Sequence, residues 1–479
     1  MRFQARPAPW VGWNRRGSGR TGGLGAIALA LGCQTTPLPP PSVAPTQGAK
    51  TASSPTPPAK QAESSDSKDE SDEGWLDSAT AQAEAARILE EIAKARNLPI
   101  TRTVHVDVVD KPGIRKFAKR SMYETTTPQE LRLLGRVQAS MGIIPRDEDP
   151  EQIVLDLLED GVAGFYDPKA QTLFIGDFVD KVTLSMVVGH EIAHGLQDMH
   201  FDLQKHQQPL RHRADEETAR RFLIEGGAQA TYLAWVAGEQ GLGVIEDGVL
   251  DAMGNQVLDA AHLVSDYPIL ARSLQLPYAD GTATVARLVR DKGWEAIDAL
   301  YDDLPQSSEQ MLHIDKLLAR EAPIPTQVDA DGLTALWPES TMVWHDTIGE
   351  AELLSMLAHV EPASVARRAA AGWGGDHYVA LDLPPDRQGN NTPSVPVVVG
   401  VTVWDSDRDA QEFAENFGDY LERMVPDHAI DRRGDQVLFV TGIPPQTPAS
   451  KLMSTAWKSV TVTRPDRKSK RRRRRKERG

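Results

Sequence analysis

Residues 187–200 read VVGHEIAHGLQDMH. The flanks are apolar or small, and the spacing predicts a helix over Leu184–Met199. His190 and His194 stand four apart, so both imidazoles leave one face, one turn apart. Leu184, Val188, Ile192 and Leu196 also step by four. They are offset from the histidines by two residues, about 200° at 3.6 residues per turn, and form an opposite face suited to a core. Gly189, Ala193 and Gly195 leave room for a neighbour to approach.

That pattern suits a metal. Two neutral imidazoles at i and i+4 can hold one zinc ion, each nitrogen at about 2.0–2.1 Å. Glu191 is turned about 100° from His190. It would sit beside such an ion, where it can take a proton from water and pass it to a leaving amine. A catalytic zinc takes three protein ligands and keeps an open position. The expected third ligand is Glu225, in ARRFLIEGGAQATYLAW (219–235), a stretch of helical spacing. Gly226 and Gly227 follow it. Each costs a helix about 0.5–1 kcal/mol relative to alanine, so a close packing of this helix on the His helix is expected. One zinc ion per chain is the cofactor implied. The competing account is a core helix with two hydrogen-bonded histidines, and a helical glutamate facing water.

Outward from this centre, GVAGFYDPKAQTLFIGD (161–177) reads as strands Val162–Tyr166 and Thr172–Ile175 around the turn Asp167–Ala170. Tyr166 and Asp167 are expected to shape that turn. Thr103–Val109 reads as a strand, and Ala79–Ala95 as a helix. Further helices are expected at Pro112–Lys119, Pro128–Met141 and Pro150–Leu158, each opened by proline. Helices should dominate from 181 to about 320. A smaller unit over 366–462 carries strands at Val395–Trp404 and Gln436–Thr441 with a helix between them, as a βαβ or α+β arrangement. GWGGD (372–376) reads as a turn before Tyr378. The fold class expected is α+β: a mostly helical catalytic domain over 75–365 with a small N-terminal sheet, then the C-terminal α+β unit.

HEIAH followed some thirty residues later by a helical Glu225-Gly226 resembles the gluzincin metallopeptidases, the thermolysin-like branch of the zincins. The hairpin before it is similar to the sheet edge lining the substrate cleft of that fold. VAGFYDP, HEIAHGLQDMHFDL, LPYADG, SSEQMLH and GWGGD also resemble a group of bacterial lipoproteins of metallopeptidase type. The resemblance implies a zincin-like fold, His190, His194 and Glu225 as ligands, Glu191 as general base, and a protein or peptide substrate. The chain departs from thermolysin-like enzymes four residues after Glu225. An aspartate that orients a ligand histidine is common there, and this chain has Gln229. Asp198 is the expected substitute.

A peptidase also needs a donor for the oxyanion of its tetrahedral intermediate. Two residues are candidates: Tyr278, expected on a loop within LPYADG (276–281), and His313, closing SSEQMLH (307–313), where Ser307 and Gln310 form a capping pattern. Packing roles are the alternative for both. His200 is expected at the end of the His helix, where a cation is favoured.

The first 32 residues read as a leader: Arg15, Arg16 and Arg20, an apolar run Leu24–Leu31, then Gly32-Cys33. The run is too short to span a bilayer. With Cys33, the chain's single cysteine, it resembles a bacterial lipoprotein signal with Cys33 lipidated. Residues 34–74, rich in Pro, Ser and acids, suit an extended tether. Net charge is −15, but 466–479 carries +8, which leaves −23 on the rest. An acidic body argues against nucleic-acid partners, and the basic tail 463–479 is expected to be solvated. The resulting expectation is a zinc endopeptidase held at the bacterial cell envelope by a lipid on Cys33. Endopeptidase is preferred because no Gly-Ala-Met-Glu-Asn exopeptidase signature is present. An inactive zincin-fold lipoprotein acting as a scaffold is the alternative, and a surface interaction protein is a third. Composition does not fix the oligomeric state.

Overall fold

The structure, a computed structural model, describes residues 76–384 and 395–464. The leader, Cys33, the tether and the basic run 466–479 lie outside the described residues. Among the described residues, no helix is long and apolar enough to cross a membrane.

The protein is mixed α+β, with a helical N-terminal part and a C-terminal sheet. The first helix, Ser78–Arg96, starts at Asp77, which accepts from Thr80 N at 2.7 Å. Helices Lys111–Thr125, Pro128–Ser140 and Pro150–Gly161 each begin within a residue of the proline expected to open them. Asp110, Thr127 and Asp149 cap them, and Thr127 forms a reciprocal capping box with Glu130. A three-stranded sheet joins β1 (His105–Val109), β2 (Gly164–Asp167) and β3 (Thr172–Gly176) in the order β1-β3-β2. β1 runs parallel to β3 and β2 antiparallel to it, so β2 is an edge strand.

The His helix spans Lys181–Phe201 and the Glu helix Ala214–Val236. Leu184, Val188, Ile192 and Leu196 pack with Ile88, Val106 and Leu173, as their spacing predicts. The other face is not open to water either: every residue from 187 to 198 is buried. The glycines after Glu225 serve two crossings. A Cβ on Gly227 would lie 2.6 Å from Gln197 Nε2 on the His helix. A Cβ on Gly226 would lie 2.2 Å from the backbone of Gly281, in helix Pro268–Lys292. So only Gly227 packs as expected, and Gly226 serves a different neighbour.

The C-terminal strands are β4 (Thr326–Val328), β5 (Thr341–Asp346), β6 (Trp373–Asp382), β7 (Val397–Trp404), β8 (His428–Arg433), β9 (Gln436–Thr441) and β10 (Val460–Val462). Five form an antiparallel sheet in the order β5-β6-β7-β9-β8, and β4 pairs with β10. No parallel βαβ crossover joins β7 to β9, which are antiparallel neighbours. The sheet begins at Thr341, ahead of the boundary expected at 366. Both faces are covered, which accounts for the unbroken apolar run of β7. Val398 and Trp404 join a core with Phe413, Phe417 and Tyr420 of helix Asp407–Met424, while Val399 and Val401 pack with Leu336, Trp337 and Trp457. The first of these cores continues into the Glu helix through Phe222 and Leu223.

Of GWGGD, only Gly372 lies in a turn, at φ +82°. Trp373–Asp376 opens β6, and Asp376 accepts from Ile348 N and Gly349 N, both at 2.7 Å.

Candidate metal centre

Three side chains from two helices converge. His190 Nε2 and His194 Nε2 lie 3.1 Å apart. Glu225 Oε2 lies 3.2 Å from His194 Nε2 and 3.5 Å from His190 Nε2. Their ligand atoms all fall within 4.8 Å of one another, and among the described residues this is the cluster of histidine, cysteine and acidic groups that could hold a metal ion. The helix period brings the histidines together, and the packing of Gly227 on Gln197 brings Glu225 to them.

The protonation pattern suits a cation. His190 Nδ1 lies 2.8 Å from Gln229 Oε1. A carbonyl oxygen only accepts, so Nδ1 carries the proton and the Nε2 lone pair faces the cluster. Burial pushes the His190 pKa down and keeps the ring neutral. Burial alone would raise the Glu225 carboxyl, but the two imidazoles outweigh it and hold the group well below the usual carboxylate range. His194 Nδ1 has no hydrogen-bond partner among the described residues. His190, with its Nε2 lone pair turned inward, a second imidazole and one carboxylate, 1%, 1% and 5% exposed, fit a divalent cation. Gln229 therefore orients His190. Asp198 does not: it accepts from Tyr166 Oη at 3.0 Å and Leu203 N at 2.9 Å, and pairs with Arg102.

Glu191, the residue after His190 on the His helix, is fully buried, and its Oε2 accepts from Tyr166 N at 3.0 Å. The edge strand β2 thus holds the carboxylate of the expected base. Gly164 on the same strand makes the approach possible, since a Cβ there would meet Val187 at 2.8 Å and Glu191 Cγ at 3.7 Å. Tyr166 was expected only to shape a turn. Asp167 does so, accepting from Lys169 N at 2.9 Å, whereas Tyr166 belongs to the site. Sequence spacing carries no signal for a backbone N–H contact across 25 residues.

Tyr278 is not on a loop. It lies inside helix Pro268–Lys292, which runs through Pro277. Its ring stacks on His190, centroids 5.5 Å apart at 29°. His313 is not gathered with the triad. It closes helix Ser308–Leu312 and bonds Glu350 through Nε2 at 2.7 Å. Burial works against its charge, but Glu350 outweighs it and raises the pKa. Ser307 does cap, accepting from Gln310 N. His200 sits in the last turn of the His helix, bonded to Pro99 O at 2.8 Å.

A family model described as a domain of unknown function (DUF8575) matches residues 340–464. The match spans β5 to β10 and contains no member of the triad. Nothing among curated proteins or solved structures matches the chain.

Proposed function

We propose that the protein is a zinc-dependent peptidase of gluzincin type with a zincin-like catalytic domain, hydrolysing peptide bonds in a protein or peptide substrate. One observation carries the reading. Glu191, which no metal ligand set requires, follows His190 on the His helix, fully buried, with its carboxylate fixed by Tyr166 N. A site that only bound metal would have no use for it. Zinc held there supplies Lewis acidity, lowering the pKa of water and polarising a carbonyl. The chain's own groups do the rest. Glu191 takes the proton from the attacking water and delivers it to the leaving amine. Gln229 keeps His190 in the tautomer that presents Nε2. Tyr278 places a phenol against His190, where it can donate to a developing oxyanion. His313, paired with Glu350, has no part in this account.

The test is Glu191→Gln, assayed against a mixture of quenched fluorescent peptides. The variant should fold and keep its metal while cleavage falls by about 10²–10⁴-fold. Unchanged cleavage would remove Glu191 as base.

Burial of the whole cluster favours a second reading, a closed metal site in a scaffold protein. In that case the wild-type chain binds metal and cleaves no peptide. Attachment to the bacterial cell envelope through Cys33 is proposed from the leader pattern alone.

A further inference from the structure

The Glu helix carries a second polar group on the face that holds Glu225. Ala214, Thr218, Arg221 and Glu225 step by four, three and four, so they form one stripe. On helix Pro268–Lys292, Leu270, Leu274 and Tyr278 step by four and form another. These helices pack together at Gly226 and Gly281. One turn back from Glu225 and Tyr278, about 5.4 Å along each axis, the two stripes wall a cavity of about 140 Å³. Leu134, Met141 and Leu158 add apolar wall from the helical part, and Ile348 and Ala351 add it from the C-terminal part. An apolar cavity of about 150 Å³ accepts benzene, so this one has room for one leucine or phenylalanine side chain.

Arg221 lines this cavity and is 6% exposed; two acidic side chains, Asp346 and Glu352, line it as well, Asp346 held by Ala214 N and Thr347 N. Its Nε has no hydrogen-bond partner among the described residues, and its Nη2 makes only a long bond to Leu274 O at 3.4 Å. Glu225, Glu217 and Glu352 act on it through space. Of these, Glu225 belongs to the triad and Glu352 is bonded to Ser273 Oγ at 2.5 Å. A buried guanidinium with an unsatisfied N–H is costly, and its planar fork matches a carboxylate.

We propose that this cavity is a subsite for an apolar residue bearing a free carboxylate, the C-terminal residue of a peptide. The side chain fills the apolar space and the carboxylate pairs with Arg221. The C-terminal part then has a role, as one wall of the subsite. The substrate assignment rests on the peptidase reading and departs from the endopeptidase expected from the sequence: with the carboxylate one helical turn from Glu225, the bond cut is the one joining that terminal residue to the chain, as in a carboxypeptidase. Binding itself does not need catalysis.

Isothermal titration calorimetry of the full chain carrying Glu191→Gln tests it, with N-acetyl-L-leucine and N-acetyl-L-leucinamide as probes. The acid should bind one per chain and the amide roughly tenfold or more weakly, because it lacks the charge that Arg221 reads. Arg221→Gln should remove the preference for the acid. Ala351→Leu, which fills the cavity and leaves Arg221 in place, should abolish binding of both probes. Melting curves of both variants show that they fold. Equal binding of acid and amide, no binding of either, or binding that survives Ala351→Leu would overturn the proposal. Zinc content measured on the same samples separates the two ideas. Metal without probe binding sinks the subsite alone, and probe binding without metal sinks the peptidase reading alone.

Discussion

Gln229 Oε1 accepts the Nδ1 proton of His190 at 2.8 Å, one turn after Glu225 on the same helix. The Glu helix therefore supplies both a ligand and the group that orients another ligand. Gln229→Leu removes the acceptor and leaves the ring free to change tautomer. Metal affinity should fall about 10–100-fold, the usual cost of losing such a partner, with little change in stability. Competition against a chromophoric chelator measures it. Unchanged affinity would mean that the contact does not select the tautomer.

The crossing of Gly226 on Gly281 leaves no room for a side chain. Gly226→Ala should destabilise the fold by about 1–3 kcal/mol, the range for overpacking a tight core. Gly248, in helix Asp247–Val264, has open space where a Cβ would go. Gly248→Ala should stabilise by about 0.4–1 kcal/mol by restricting the unfolded chain. Urea melts of the two variants should move in opposite directions, and movement in one direction would refute the packing argument.

How much of this was legible in the sequence depends on the range of the contacts. His190, Glu191 and His194 follow from helix period alone, and Glu225 from a helical stretch whose glycines signalled a close approach. Tyr278 was misplaced because Leu-Pro-Tyr-Ala-Asp-Gly has the composition of a loop. Tertiary contacts override it: Gly281 is needed at the crossing, and Asp280 pairs with Arg367 at 3.0 Å. GWGGD misled in the same way. Gly375 is there because Ile324 O would lie 2.5 Å from a Cβ, so a strand, not a turn, needs it. β5 was missed because its only strand neighbour, β6, lies some thirty residues away with two helices between. Tyr166 N and Gln229 Oε1 act through contacts that no local pattern encodes.

Asp346 gives a pH dependence with a definite sign. Burial raises its carboxyl from 3.8 to about 6. The folded state therefore binds the proton more tightly than the unfolded state. Its contribution to stability is fully present below about pH 4 and is lost as pH rises through about 6. Asp346→Asn keeps an oxygen able to accept from Ala214 N and Thr347 N, both at 2.9 Å, and cannot ionise. The variant should match wild type near pH 4 and exceed it by about 1–3 kcal/mol at pH 8. A variant less stable than wild type at pH 8 would show that the charge is compensated in the fold.

Tyr278 stacks on His190 without being a member of the triad. Tyr278→Phe keeps the ring and loses the hydroxyl. Turnover should fall by about 10²-fold, the scale for one oxyanion donor, with metal content and KM little changed. Full turnover in the variant would assign Tyr278 to packing.

The most direct measurement is the metal content of the chain, purified without added metal and analysed by mass spectrometry beside His194→Ala and Glu225→Ala. The account predicts about one zinc per wild-type chain, lost or loosely held in both variants. A wild-type chain that carries no metal and takes up none when zinc is added would contradict it. His190, His194 and Glu225 would then be ordinary core residues.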